Sequence, residues 1–389
     1  MNFCGIICEF NPFHNGHKFL IDEVKNQGFE PVCLMSGDFV QRGSAAITDK
    51  YSRAKIAIKN GASVVLELPT IFACSNAENF ASGAVKILTA ANVSHLAFGI
   101  EKTSLEILQK IAELKAENSE RFQNAFKNEI QNGINYNTAL KRSIASTLED
   151  NRILEILEKP NNVLAVEYLT AIIKQKSKII PIAIERSDNG FESNIPNGNF
   201  VSASSIRDMI LNDKDYTNFI PKNANLDQIF DKNHQKTLEC MQILKIKQSS
   251  PSELERLYDY SEGIEFRVKE MCEKHATLND IITNISTPRY RVKRVSKLLL
   301  YPILEITKNV VNQSFKTKPV AKVLGIKNKE FLRLIDKKKI SLIVTNKDYE
   351  NLSKSQKQII EIDLTASAIY NTILEHPEKA DKKIGTMFL

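Results

Sequence analysis

The sequence lacks the features that define several protein classes. No apolar run approaches the ~20 residues that a membrane-spanning helix needs; the best stretch, Leu298 to Leu304, has seven residues. The six cysteines form no Cys-x-x-Cys pair, and Cys4, Cys8 and Cys33 lie in apolar, strand-like runs that predict small buried side chains. The amino-terminal stretch has no basic region of the kind that begins a signal peptide. We therefore expect a reduced, soluble, cytoplasmic protein.

Charge is distributed unevenly along the 389 residues. The net charge is −2 over residues 1–240 and +9 over 241–389, and it reaches +12 within 281–340. Such a concentration of positive charge predicts an anionic partner, and nucleic acid is the first candidate. The alternative is a solvated, lysine-rich helix surface.

The first 100 residues alternate apolar strands with helices. Strands are predicted at 3–9, 31–35, 62–68 and 93–98, and helices at 16–26, 49–60 and 76–89. Near-continuous apolar strands separated by helices indicate a parallel sheet covered on both faces. A helical stretch follows, and residues 178–185 then predict one more strand of the same sheet.

After about residue 220 the periodicity is helical almost throughout, with no strand–helix alternation. We predict an α/β domain over residues 1–215, with a helical segment at about 104–175. A basic, mainly helical domain is predicted over residues 216–389.

The sharpest motif follows the first predicted strand. His14-Asn15-Gly16-His17 has the form H-x-G-H, whereas the G-x-G-x-x-G fingerprint of dinucleotide-binding folds is absent there. The amino terminus of a helix offers N–H groups and a positive dipole end, which suit phosphate. Two nearby imidazoles would donate hydrogen bonds that stabilise charge developing on phosphate. The alternative is that both histidines only cap a turn.

A second motif follows the last strand predicted in the α/β part. Ser202, Ser204 and Arg207 fit the pattern [ST]-x-[ST]-x-x-R at the start of a helix. Hydroxyls and an arginine in the first turns would make another phosphate cradle. The alternative is an ordinary serine N-cap beside a surface arginine. Two such motifs, each at a strand–helix junction, favour a nucleotide site.

This pair of motifs resembles the HIGH-motif nucleotidyltransferase superfamily, whose α/β fold is shared with class I aminoacyl-tRNA synthetases. A closer resemblance, along nearly the whole chain, is to the tRNA(Met) cytidine acetate ligase family. It rests on residues 5–20, 35–69, 97–101, 159–169, 184–191, 202–207 and 287–300. This chain departs from the family pattern at Ser204, where relatives often have threonine, and at Ala165, where glycine is common.

The resemblance implies a Rossmann-like HIGH-motif nucleotidyltransferase domain and an ATP-dependent carbon–nitrogen ligase. Such an enzyme converts acetate to acetyl-adenylate with release of pyrophosphate. It then acetylates N4 of the wobble cytidine of elongator tRNA(Met), forming N4-acetylcytidine. The implied substrates are ATP, acetate and the tRNA, and Mg²⁺ is expected to help offset the negative charge of the phosphates.

The resemblance also implies site residues. An ATP site would be lined by Ile7, Cys8, Glu9, Phe10, Asn11, Pro12, Phe13, His14, Asn15, Gly16, His17, Lys18, Phe19, Leu20, Gly99, Asn162 and Arg186, together with Ser202, Ser204 and Arg207. His14 and His17 are the catalytic candidates, and no residue is assigned as a metal ligand. The basic segment offers Arg289, Arg291, Lys293, Arg294 and Lys297, predicted along one helix, to tRNA phosphates.

Physical reasoning supports these positions unequally. Gly99 and Arg186 end predicted parallel strands at the carboxyl edge, where open α/β sheets bind ligands. Asn162 lies at a predicted helix start, where capping the helix would explain it equally well.

Other polar residues have open roles. Asp38, Gln41 and Arg42 would hold acetate, cytosine or metal-bound water, or would merely stabilise their own loop. Lys50 and Arg53 are expected to be solvated, and Glu67 to face the ligand or to lie exposed at a strand edge.

Two other function classes stay open at this point. One is a nucleotidyltransferase that adenylylates a small phosphorylated metabolite, for which the basic region would be mere surface. The other is a non-catalytic RNA-binding protein with a relic ATP site, against which both intact phosphate motifs argue.

Overall fold

The structure is a computed structural model and describes residues 2–185, 201–327, 332–333, 335–379, 381 and 387–388. Its strands are β1 (Phe3–Cys8), β2 (Glu30–Ser36), β3 (Val64–Leu68), β4 (His95–Ile100), β5 (Ile180–Glu185), β6 (Val320–Ile326), β7 (Ser341–Ile343) and β8 (Met387–Phe388). Its helices are α1 (Asn15–Asn26), α2 (Lys50–Lys59), α3 (Thr70–Ala73), α4 (Ala77–Ala90), α5 (Leu105–Glu117), α6 (Glu120–Gln131), α7 (Tyr136–Leu148), α8 (Arg152–Ile156), α9 (Pro160–Lys174), α10 (Ala203–Leu211), α11 (Lys232–Gln248), α12 (Pro251–Glu255), α13 (Ile264–Lys274), α14 (Leu278–Ile285), α15 (Val292–Leu304), α16 (Lys308–Ser314), α17 (Asn346–Glu350) and α18 (Lys354–Ile373), with short 3₁₀ turns at Thr217–Phe219 and Pro377–Lys379.

The strands form one mixed sheet in the order β5-β4-β1-β2-β3-β6-β7, and β8 pairs with β6. Strands β1 to β5 pair in parallel. The chain runs from β1 to β2 and β3 on one side, and then returns to β4 on the other side of β1. Open α/β sheets bind ligands outside the carboxyl ends of their strands where the order reverses in this way. The end of β1, which leads into the H-x-G-H motif, therefore lies at the expected ligand edge.

The strand–helix alternation predicted for the first 100 residues is confirmed. Every residue of β3 is buried, and β2 is buried from its second residue onward. Strands covered on both faces carry apolar side chains in continuous runs, and this is why the sequence revealed them. The predicted helical segment is also confirmed, as α5 to α9, and β5 returns to the sheet beside β4.

The carboxyl-terminal half is mainly helical, as predicted, but it also contributes strands that the sequence pattern did not predict. Strand β6 pairs antiparallel with β3, and Val64 lies opposite Ile326. β7 and β8 both pair in parallel with β6. The expectation of helical periodicity almost throughout was therefore wrong for these segments. The partner of β6 on the side of the main sheet, β3, is distant in sequence, and local periodicity does not report such pairing.

Hydrophobic packing continues across the predicted domain boundary. A single cluster of buried side chains includes Leu34 and Leu66 of the sheet together with Leu299 of α15 and Tyr370 of α18. The division at residues 215 and 216 remains a prediction, but the sheet and this cluster extend over both sides of it. Cys4, Cys8 and Cys33 are buried and unpaired, as predicted. Among the described residues, no helix is both long and apolar enough to cross a membrane.

Candidate functional site

A large cleft of about 1970 Å³ opens at the ends of β1 and β4. Many of the predicted site residues line it: Ile7, Cys8, Glu9, Phe10, Asn11, Gly16, His17, Phe19, Leu20, Gly99 and Ser202, together with the basic residues Arg289, Arg291, Lys293, Arg294 and Lys297. The fold thus brings Gly16 and His17 of the H-x-G-H motif and the basic segment to one cavity, although they are far apart in sequence.

The other predicted residues do not line the cleft or lie outside the described part of the chain. Those that do not line the cleft are Pro12, Phe13, His14, Asn15, Lys18, Asn162, Ser204 and Arg207. Arg186 lies outside the described residues. The roles assigned to all these residues stay predictions, and their contacts show what each is able to do.

His14 and His17 both cap the amino terminus of α1. Nδ1 of His14 accepts a hydrogen bond from the Gly16 backbone N–H at 3.0 Å, and Nδ1 of His17 accepts one from the His14 N–H at 3.3 Å. The two rings stack with their centroids 3.7 Å apart. Because Nδ1 is an acceptor in both rings, a neutral imidazole carries its proton on Nε2. Capping was considered above as an alternative to phosphate binding. It also fixes the tautomer in which Nε2 carries the proton and is a hydrogen-bond donor.

Buried aromatic rings support these histidines. Phe10 and Phe13 are almost fully buried, and their ring centroids lie 4.8 Å apart. The His17 ring packs against both, at 4.9 Å from Phe10 and 5.8 Å from Phe13. These contacts restrict the His17 side chain to one orientation beside the cleft, which is what electrostatic preorganisation requires.

The serine–arginine motif contacts the H-x-G-H loop directly. Nη1 of Arg207 donates a hydrogen bond to the Asn11 carbonyl oxygen at 2.6 Å, and Oδ1 of Asn11 accepts one from the Ile47 N–H at 2.8 Å. Arg207 is partly buried and not a surface arginine, and burial lowers the pKa of its guanidinium. Oγ of Ser202 caps α10 by accepting a hydrogen bond from the Ser205 N–H at 3.1 Å. Ser202 is therefore the serine N-cap that was considered above as the alternative to phosphate binding.

Gly99 lies near the end of β4, and Asn162 contacts the segment that follows this strand. Gly99 lines the cleft, whereas Asn162 is fully buried and is not the N-cap of α9, which is Lys159. The Asn162 amide accepts from the Glu101 N–H at 2.8 Å and donates to the carbonyl oxygens of Glu101 at 2.9 Å and Ile156 at 3.0 Å. These bonds hold the segment that follows β4, so Asn162 is placed to shape the edge of the cleft from behind.

Arg53 is an organising residue that the sequence analysis missed. It was expected to be solvated, but it is completely buried. Its guanidinium donates hydrogen bonds to four backbone carbonyl oxygens, those of Glu9 at 2.6 Å, Ser36 at 3.0 Å, Gly37 at 2.5 Å and Thr48 at 3.0 Å. Arg53 therefore ties together the loops that follow β1 and β2. The spacing did indicate burial, because Lys50 and Arg53 share one helical face with Ala54 and Ala57.

Lys50 was also expected to be solvated, and it too is buried. Its Nζ lies 2.7 Å from a carboxylate oxygen of Glu67, 2.7 Å from one of Asp381 and 3.5 Å from one of Asp38. Asp381 also pairs with Lys322 at 3.1 Å. Burying a charge is costly, and the charged ammonium group of Lys50 is stable here because opposite charges surround it.

Glu67 belongs to this cluster and does not lie at a strand edge. It is in β3, between β2 and β6, and Met35 is its partner in the sheet. Burial raises the pKa of Glu67 to about 8, although Lys50 opposes the shift. Burial likewise raises the pKa of Asp363 to about 6, against the hydrogen bond from the Thr70 N–H. Part of this cluster therefore holds a proton near neutral pH.

The loop after β2 contributes residues both to the cleft and to the buried cluster. Gln41 and Arg42 line the cleft, and the Gln41 N–H donates to the Glu9 carboxylate at 3.0 Å. Asp38 instead pairs with Lys50 and lines a smaller cavity of about 330 Å³. Of the three residues left open by the sequence, only Gln41 and Arg42 are therefore placed to meet a ligand in the large cleft.

The same loop packs against α15. Gly43 has a positive φ of 77°, and a Cβ there would lie 2.9 Å from Cγ of Lys297 and 3.1 Å from its Cα. A glycine is required for this close approach and for this backbone conformation. The loop that carries Gln41 and Arg42 is thus in direct contact with the basic helix.

The prediction that the basic residues lie along one helix was wrong. α15 begins at Val292, so Arg289 and Arg291 precede it. The exposed ones are Arg289, Arg291 and Lys293. The charge of Arg289 is paired with Glu262, and Arg294 pairs with Asp259 at 2.7 Å. Lys297 donates to the Ser75 carbonyl oxygen at 3.1 Å, and burial lowers its pKa. Their binding of tRNA stays a prediction.

Comparisons with known proteins identify relatives along the whole chain. A family model described as HIGH Nucleotidyl Transferase matches residues 1–384. A tRNA(Met) cytidine acetate ligase of Thermoanaerobacter sp. is 35% identical over 381 residues, covering 95% of each chain. The ligase of the same name from Thermosipho africanus is 32% identical and covers 100% of this chain and 98% of its own. The crystal structure of Thermotoga maritima TmcAL bound with alpha-thio ATP superposes over 100% of both chains, with a TM-score of 0.89 and 26% sequence identity.

Proposed function

The chain belongs to the HIGH nucleotidyl transferase family and, within it, to the tRNA(Met) cytidine acetate ligases, and we propose from this premise which reaction its cleft performs. ATP and acetate would form acetyl-adenylate, and the acetyl group would pass to N4 of the wobble cytidine of elongator tRNA(Met). The observation that carries the proposal is that Gly16 and His17 of the H-x-G-H motif line a single cleft together with the basic segment. We expect the reaction to take place in the cytoplasm, where charged nucleotides and tRNA are available.

In the first step, a carboxylate oxygen of acetate attacks the α-phosphorus of ATP. A new P–O bond forms, the bond to the β-phosphate oxygen breaks, and pyrophosphate leaves with the electron pair. No protein nucleophile is needed, so catalysis depends on positioning and on stabilising negative charge. The amino terminus of α1 and His17, which lines the cleft, are suited to that task, and the same role is predicted for His14, whose ring stacks on that of His17.

In the second step, the N4 amine of cytosine attacks the acetyl carbonyl carbon of the mixed anhydride. The C–N bond forms, the C–O bond to AMP breaks so that AMP leaves with the electron pair, and the amine releases one proton to solvent water. This amine is a weak nucleophile because its lone pair is delocalised into the ring, so orientation of an unstacked base has to supply much of the rate. The exposed arginines at the mouth of the cleft would hold the neighbouring phosphates.

Mg²⁺ is expected to enter with ATP. Within the described part of the chain, no group of three or more His, Cys, Asp or Glu side chains is arranged to hold a metal ion. Mg²⁺ commonly binds through substrate phosphates with few protein ligands. When bound it would neutralise phosphate charge, and the steps above are derived from the protein groups alone.

The direct test is the transfer of labelled acetate to purified elongator tRNA(Met), followed by nucleoside mass analysis. We expect ATP-dependent N4-acetylcytidine, and no product with a tRNA whose wobble cytidine is replaced by uridine. Acetate-dependent exchange of labelled pyrophosphate into ATP, measured without tRNA, isolates the first step.

Lack of transfer to the tRNA, with ATP binding intact, would contradict the proposal. Adenylylation of a small phosphate ester without tRNA would instead identify the enzyme as a metabolite nucleotidyltransferase. In that case the basic residues that line the cleft would have no substrate to bind.

A further inference from the structure

An exposed aromatic ring lies on the wall of the cleft formed by the helical segment between β4 and β5. Tyr136 is the first residue of α7, and it is 62% exposed although it lines the cleft. Its ring makes an edge-to-face contact with Phe126 of α6, with the centroids 5.2 Å apart. A large ring held in place and largely exposed to solvent has no evident role in the core.

The start of α7 is joined to the start of α15. Oδ1 of Asn135 caps α7 by accepting from the Thr138 N–H at 3.2 Å, and it also accepts a hydrogen bond from Arg291. Arg291 is itself the residue that precedes α15. Tyr136 therefore directly follows Asn135, whose side chain contacts the basic segment. The amino termini of α7 and α15 meet at this point, and each is favourable for phosphate.

The cleft has an excess of positive charge. Of the described residues that line it, nine are lysines or arginines and six are aspartates or glutamates. A positively charged groove with an exposed aromatic ring is the arrangement that binds single-stranded nucleic acid, because phosphates contact the cations and bases stack on the ring.

We propose that Tyr136 is a stacking platform for an unpaired base of the tRNA, and that α6 and α7 form part of the tRNA-binding surface. This inference rests on the function proposed above and extends it, because none of the predicted tRNA contacts lies in the helical segment. The adenine of ATP is the other flat ring that enters the cleft, and it is treated as an outcome of the test.

The experiment measures binding of an elongator tRNA(Met) anticodon stem-loop by fluorescence anisotropy, and the KM for tRNA in acetyl transfer. Tyr136→Ala and Tyr136→Leu are each expected to weaken binding by about fivefold or more, since one base–aromatic contact contributes at least that much. Tyr136→Phe is expected to bind as the wild type does. The leucine variant keeps an apolar side chain beside Phe126, so it separates loss of stacking from loss of packing.

Phe266→Ala is the matched control. Phe266 is also 62% exposed but lies on α13 and does not line the cleft, so its replacement should leave binding unchanged. Acetate-dependent pyrophosphate exchange, and its KM for ATP, should be unaffected by every variant.

The outcomes separate this inference from the proposed function. Wild-type binding by Tyr136→Ala and Tyr136→Leu would overturn the inference while leaving the ligase intact. A raised KM for ATP with unchanged binding of RNA would show that the ring holds adenine, and would also overturn it. Absence of acetylcytidine with the wild-type enzyme would overturn the proposed function, and the binding comparison would still test the stacking role.

Discussion

Arg207 donates a hydrogen bond to the carbonyl oxygen of Asn11 at 2.6 Å, and this bond joins the serine–arginine motif to the segment that leads into the H-x-G-H motif. The sequence offered them as separate signals at two strand–helix junctions. In the folded protein, the arginine supports the backbone that leads into His14, and its partly buried position suits that role.

Replacing Arg207 should therefore impair ATP use. Arg207→Ala leaves the Asn11 carbonyl without this charged partner, and such bonds contribute about 1.5–3 kcal/mol. We expect the KM for ATP in acetate-dependent pyrophosphate exchange to rise by about tenfold or more. Arg152→Ala is the control, because Arg152 pairs with Asp150 on the surface and does not line the cleft. An unchanged KM in Arg207→Ala would refute a role in the ATP site.

His17→Ala should nearly abolish the first step. Loss of one preorganised donor costs about 10²- to 10³-fold in rate, and we expect a decrease of that size in pyrophosphate exchange. His17→Asn retains an N–H donor and should recover part of the rate. Binding of tRNA should be unchanged in both variants, because the basic residues are on other elements. Loss of tRNA binding together with a lower melting temperature would indicate misfolding instead.

Replacing Arg291, Lys293 and Arg294 together by alanine should weaken tRNA binding. Each phosphate contact contributes about 0.7–0.9 to the slope of log affinity against log salt, so the slope should become shallower by about 2. The measurement is tRNA affinity at several salt concentrations. Arg294 already pairs with Asp259 at 2.7 Å, and we therefore expect Arg291 and Lys293 to account for most of the loss.

The control for that experiment removes the same amount of charge elsewhere. Lys55, Lys59 and Lys236 are exposed and do not line the cleft. Their joint replacement by alanine should leave the salt slope as it is in the wild type. An equal change in both triple variants would mean that only net charge matters, which would remove the argument for a defined tRNA surface.

Glu67 should make stability depend on pH. Its pKa is raised by burial from 4.5 to about 8. Between these values the folded protein holds a proton that the unfolded chain has lost, so the free energy of unfolding falls as the pH rises. The loss is on the order of 1 kcal/mol per pH unit. Denaturant unfolding across this range should show a smaller pH slope for Glu67→Gln than for the wild type.

An exposed glutamate gives the comparison for this effect. Glu106→Gln should retain the wild-type slope, because Glu106 is at the surface in the first turn of α5. If Glu67→Gln retained the wild-type slope as well, the shifted proton would belong to another member of the buried cluster.

Local pattern was a good guide where local sequence decides the structure. Strands β1 to β4 are short apolar runs and the helices between them have regular spacing, so the α/β part was predicted nearly element by element. The H-x-G-H motif needed only one strand and one helix to be placed, and its neighbours line the cleft.

Prediction failed where distant partners decide the structure. Lys50 is buried only because Asp381 and Glu67 surround its ammonium group, and neither is near it in sequence. β6 is a strand because β3 offers it hydrogen bonds across the sheet. Asn162 was considered as a helix cap, but its side-chain amide forms hydrogen bonds with the backbone N–H and carbonyl oxygen of Glu101, which lies in another segment.

The antiparallel pairing of β3 with β6 also has a consequence for biosynthesis. β3 is translated early, whereas β6 is among the last elements to leave the ribosome. Until then, one edge of β3 presents unpaired N–H and C=O groups, and such an edge is prone to pair with strands of other chains. The nascent protein therefore has to carry an unfinished sheet through most of its synthesis, and protection of that edge is a condition for obtaining active enzyme.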